Sequence, residues 1–141
     1  MILSKLPRRV ASAFIIGLLI LGITACGLGG PSKAERLGKD MHDAAMSVPG
    51  VTDARLHVNM NTSGNFITAS LTGTGTDQSE LSQALGKALP AMLEKTKDLD
   101  NGSFSVSIFS PDDSVSVGSD ALGYTGTSSL VDFREYFLNQ P

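Results

Sequence analysis

Few side chains in this protein are equipped for chemistry. Its one cysteine, Cys26, closes the apolar run "LGITAC" and is followed at once by glycines. A single thiol excludes an internal disulfide framework. The two histidines, His42 and His57, are the only imidazoles that could serve as base or ligand. A metal centre needs three or four converging donors, and no His/Cys/Asp spacing supplies them. No serine sits in a Gly-x-Ser-x-Gly elbow, and a triad would have to draw on His42 or His57 with no partner indicated. "GTGTD" places Gly73 and Gly75 before a helix, but a phosphate loop carries more glycines and a Lys-Ser/Thr pair. Asp77 at that helix start would repel an anion. In "SPDDS", Asp112 and Asp113 suit a turn and fall short of the spaced oxygens of a calcium loop. The sequence therefore assigns no catalytic, cofactor-binding or metal-binding residue and no cofactor.

Cys26 is placed by what precedes it. Residues 1–25 have the three parts of an export signal. Lys5, Arg8 and Arg9 form a positive start, "VASAFIIGLLILGITA" is uncharged and apolar, and Thr24-Ala25 are small. The apolar run is shorter than the roughly 20 residues of a membrane span. "ITAC" resembles the lipobox of bacterial lipoproteins: an aliphatic residue, a small one, Ala or Gly, then Cys. Ile23 stands where Leu is commoner. The resemblance covers the first 26 residues. It implies a diacylglyceryl thioether on Cys26, cleavage between Ala25 and Cys26, and palmitate-type acylation of the new terminus. Two or three acyl chains hold a protein firmly at a bilayer, where one does not. The implied location is the non-cytoplasmic face of the cell membrane, or the outer membrane in a host with two. Residues 26–31 then form the lipidated cysteine and a Gly-rich tether. The five residues Gly27–Pro31 reach at most about 17 Å.

Composition bounds the remainder, residues 32–141, to one domain. Charged residues are 18% and aromatics 6%, with no Trp, so the core is aliphatic and small. Three of the 11 basic residues precede Cys26, whereas all 14 acidic residues follow it, leaving a formal charge of −6 from Cys26 onward. Such a domain is a poor partner for nucleic acid, whose binding rests on phosphate neutralisation.

The elements that must position these side chains follow from periodicity. Ser32-Lys33-Ala34-Glu35 reads as a capping box, and Leu37, Met41, Ala44, Ala45 and Val48 share a helical stripe that Pro49-Gly50 ends. Ala54, Leu56, Val58 and Met60 alternate with Arg55, His57 and Asn59, a half-buried strand. After the turn "NTSGN", Ile67, Ala69 and Leu71 alternate with Phe66, Thr68, Ser70 and Thr72. Asp77 caps a second helix with Leu81, Ala84, Leu85, Ala88, Leu89, Met92 and Leu93 on one face. Pro90 inside it predicts a bend or two shorter helices. Phe104, Val106 and Ile108 alternate with Ser103, Ser105 and Ser107. "SVSVG" adds a short fourth strand with Val115 and Val117. Ser129 caps a last short helix bearing Leu130, Phe133 and Phe137, expected to cover an open end of the core.

The predicted fold is α+β: two helices on one face of a four-stranded antiparallel sheet, αββαββ, a permuted ferredoxin-like order plus a short C-terminal helix. The "VPGV" junction is similar to turns in heavy-metal-associated and BON domains. The expected function is a lipid-anchored envelope lipoprotein with a non-catalytic binding or accessory domain. Its partners would be the membrane, through Cys26, and an envelope protein or polysaccharide met by a hydroxyl-rich sheet face. Two alternatives stand beside it. One is a small envelope hydrolase or metal-dependent enzyme using His42 or His57. The other is a carrier of an apolar ligand, which needs roughly 300 Å³ between helices and sheet.

Overall fold

Residues 30–140 are described in the computed structural model. The signal segment, Cys26 and the first tether glycines lie outside them. Helix α1 spans Lys33–Met46 and buries Leu37, Met41 and Ala45, spaced four apart so that they share one face. Val48 joins them beyond the helix end. Strands β1 (Val51–Asn61) and β2 (Gly64–Gly73) then form the expected hairpin. Their antiparallel register sets Ala54 against Leu71, Leu56 against Ala69 and Val58 against Ile67. A register shift between Val51 and Asp53 lets Val51 and Ala54 both face the core, which strict alternation would forbid.

Helix α2 spans Gln78–Leu93 and buries all seven residues of its predicted stripe. The Asp77 side chain accepts from the Glu80 backbone N–H at 2.9 Å, as the sequence foretold. Of the two outcomes expected at Pro90, a split into two shorter helices does not occur: one α-helix runs through it and ends three residues later, in the 3-10 turn Glu94–Thr96. So near the helix end the missing N–H removes a single backbone bond. The carbonyl that the ring crowds belongs to Gly86.

Strands β3 (Ser103–Phe109) and β4 (Ser116–Gly118) complete a four-stranded sheet of order β1-β2-β3-β4. The predicted all-antiparallel sheet is corrected here: β2 and β3 are parallel, while the outer pairs are antiparallel. A permuted ferredoxin-like sheet would insert β4 between β2 and β3. Instead β4, only 3 residues long, pairs with the last residues of β3 at the sheet edge. The crossover through α2 instead lays β3 directly beside β2. The sheet is therefore mixed.

Helix α3 (Leu130–Leu138) closes the chain. Its cap is Ser129, whose hydroxyl accepts from the Asp132 N–H at 3.3 Å. Just before it, the Ser128 carbonyl accepts from the Phe104 N–H at 2.8 Å, and the Leu130 N–H donates to the Gly102 carbonyl at 2.9 Å. This segment pairs with β3 at the end that β4 does not reach. Leu130 and Phe133 are buried, and the Phe133 ring lies edge-on to Phe104 at 5.0 Å. The tail thus covers the core end it was expected to cover. Inward residues of the sheet and the apolar stripes of the helices form one core, filled by Leu71, Leu81, Leu85, Leu89, Met92 and Ile108, all fully buried.

Candidate functional site

The predicted site residues fall into separate places. Cys26 lies outside the described residues. His42 is on α1, half-exposed, with Nδ1 3.2 Å from Asp43 Oδ1. That carboxylate is shared with Lys39 Nζ at 2.7 Å, so the cluster is an i, i+4 ion pair with an imidazole at its flank. The Lys39 ammonium and the His42 contact draw the Asp43 carboxyl below its usual range. His57 projects from the opposite side of the sheet, on β1, across from Thr68. The two imidazoles are not brought together. Among the described residues, no group of three or more His, Cys, Asp or Glu is placed to hold a metal ion.

Asp112 organises the β3–β4 turn. Its Oδ1 accepts from the Ser110 hydroxyl at 2.8 Å, the Ser114 hydroxyl at 2.7 Å and the Ser114 N–H at 3.1 Å. The two bonds from Ser114, then that from Ser110, stabilise the charged carboxylate and lower its pKa to about 2. Asp113 takes a left-handed conformation, φ 61°, that Asp tolerates better than most residues. Both aspartates are explained by the turn. Asp77 is likewise engaged as a helix cap.

The outward sheet face is where named residues do converge. Register places them in rows across the strands. Asn59, Phe66 and Ser103 form one row, and His57, Thr68 and Ser105 the next. Arg55, Ser70, Ser107 and Gly118 follow, and then Thr72, Phe109 and Ser116. Neighbouring strands lie about 4.8 Å apart, and rows about 6.8 Å apart along them. The surface is therefore a grid in which seven of the named residues are Ser or Thr, whose hydroxyls can each donate and accept. Ile67, Ala69, Leu71, Phe104, Val106 and Ile108, buried on the reverse side, hold the grid in place. Arg55 Nε lies 3.6 Å from Asp53 Oδ2, so the one guanidinium on the face is partly neutralised beside it. Phe66, 44% exposed, stands at one end and the half-buried Phe109 at the other. Six residues of strand separate their rows, about 20 Å.

Sequence reasoning named Arg55, His57, Asn59, Thr68, Ser70, Thr72, Ser103, Ser105 and Ser107 for this face, and alternation places them all there. It missed Phe109 and Ser116. The same alternation, carried one residue past Ile108 and one before Val117, would have found both. Five clefts among the described residues measure about 220 to 510 Å³ and are open, with charged or hydroxyl-bearing residues in every lining.

Comparison of the chain with known protein families, curated proteins and solved structures finds no match in any of the three.

Proposed function

We propose that this protein is a lipid-anchored envelope lipoprotein whose domain is a non-catalytic binding module. Cys26 carries the lipid, and the module works on the non-cytoplasmic side of the membrane. The open sheet face is the docking surface, and its ligand is an extended, uncharged stretch of envelope polysaccharide. The observation that carries this reading is the grid itself. Its Ser and Thr residues, exposed or half-buried, lie between two phenylalanine rings. Sugar hydroxyls also donate and accept, so each contact can be matched without burying an unpaired group. The ring faces suit the apolar faces of pyranose units. A short tether keeps the face within reach of material close to the bilayer.

The test is co-sedimentation of the full chain, in detergent, with protein-free insoluble cell-wall polysaccharide. The wild-type protein should pellet with the glycan. Phe66→Ala and Ser70→Lys should each shift it to the supernatant while leaving the circular dichroism spectrum unchanged. A wild-type protein that stays soluble, or variants that pellet equally well, would overturn the assignment of the face.

A further inference from the structure

Outside the sheet face, the chain gathers its tyrosines. It has two, and no tryptophan. Both Tyr124 and Tyr136 wall a single cleft of about 510 Å³ beside α3. Their rings meet at 5.3 Å and 67°, forming an aromatic corner. Each hydroxyl is tied to backbone: Tyr124 Oη donates to the Thr127 carbonyl, and Tyr136 Oη donates to the Leu122 carbonyl at 3.4 Å. Two glycines allow this arrangement. A Cβ on Gly123 would lie 2.9 Å from Tyr136 Oη, and one on Gly126 would lie 2.7 Å from Tyr124 Oη.

Asp132 and Glu135 complete the lining, with no Lys, Arg or His among its residues. Asp132 is held by the Thr127 hydroxyl, which donates to Oδ2 at 2.7 Å. Burial first, and then the Asp132 charge, push the Tyr124 phenol above its ordinary value. The cleft is thus an aromatic corner under a negative field, with its charge unbalanced by any neighbouring cation of the lining.

We infer that this cleft binds one organic cation, the guanidinium of an arginine side chain on a peptide partner. Tyr124 is buried and backs the half-buried Tyr136, so Tyr136 is the ring open to a ligand. A planar guanidinium stacks on such a ring and takes carboxylate oxygens in a fork, two features that an ammonium shares less well. The volume lies within the range of small-ligand sites. This site does not depend on the sheet face or on the lipid.

The two tyrosines also supply the probe, because all intrinsic tyrosine emission arises at this cleft. The full chain in detergent is titrated with Nα-acetyl-arginine amide and with the uncharged analogue Nα-acetyl-citrulline amide. The arginine compound should give a saturable fluorescence change with a Kd of roughly millimolar order, as one small cation allows. The citrulline compound should give none. The double substitution Asp132→Asn with Glu135→Gln keeps the acceptor for Thr127 and should weaken binding about tenfold, a loss of roughly 1.4 kcal/mol. No saturable change with the arginine compound, an equal response to citrulline, or undiminished binding by the neutralised variant would each overturn the proposal.

Discussion

Single residues hold this fold together at points the core does not reach. Asp112 is one: three donors converge on one of its oxygens. With its pKa drawn down to about 2, its contribution is fully present above the ordinary carboxylate value of the unfolded chain. That contribution is lost as pH falls from about 4 through 2. Asp112→Asn should therefore lower the thermal midpoint at pH 6, and the gap to wild type should close near pH 2. A pH series of melting curves reads this directly. Arg134 is another such point. Its Nη1 donates to the carbonyl and, at 3.4 Å, to the hydroxyl of buried Thr96, just past the end of α2. The Thr96 carbonyl also accepts from the Leu99 N–H at 2.9 Å, and the C-terminal end of a helix favours a cation. Arg134→Ala should cost about 1.5 kcal/mol in urea unfolding, the value of a charge-assisted bond. Neither effect was legible in the sequence. Asp112 read as a turn residue, but its three donors depend on how the turn closes. Arg134 and Thr96 lie 38 positions apart, and no periodicity joins them.

At the scale of elements, what could be read was which face each residue takes. "FITASLT" and "SFSVSIF" alternate cleanly, and their inward and outward sets are those observed. The seven-residue stripe of α2 is equally plain because helical spacing admits one solution. Alternation carries no information on strand direction, however, since a strand shows the same faces to a parallel or an antiparallel neighbour. The parallel pairing of β2 with β3 was therefore out of reach, and so was the place of β4 at the sheet edge. The tail belongs to this scale too. Phe133 packs on Phe104 and, at 4.4 Å, on Tyr124, so α3 is part of the core. Phe133→Ala should destabilise the domain by about 3 kcal/mol, as large-to-small changes at buried aromatics do. A loss under about 1 kcal/mol would mean that α3 is only loosely attached and that its rings serve another purpose.

On the proposed reading, the whole molecule joins a signal and a domain whose chemistries are independent. The domain presents a polar grid on one side and an aromatic, acidic cleft beside its last helix. We propose both as surfaces for recognition, the first built on strands and the second on α3 and the loop before it. On that reading, the N-terminal segment decides where they act. A soluble domain with these surfaces would meet ligands by diffusion, whereas one tethered within about 17 Å of a bilayer meets only what the envelope holds there. The sequence spoke most clearly about this segment and least about the domain's ligand. A lipobox is a contiguous motif, while a binding face is assembled from four strands.

The central claim is that the sulfur of Cys26 carries the lipid that places the domain in the envelope. It is tested by comparing wild type and Cys26→Ser expressed in a lipoprotein-processing bacterium, with intact-mass spectrometry and membrane fractionation. The wild-type chain should begin at Cys26, carry the added mass of a diacylglyceryl group with or without a further acyl chain, and partition with membranes. The serine variant should lack that mass and lose lipid-dependent membrane retention. An identical unlipidated mass for both proteins, with identical partitioning, would contradict the account.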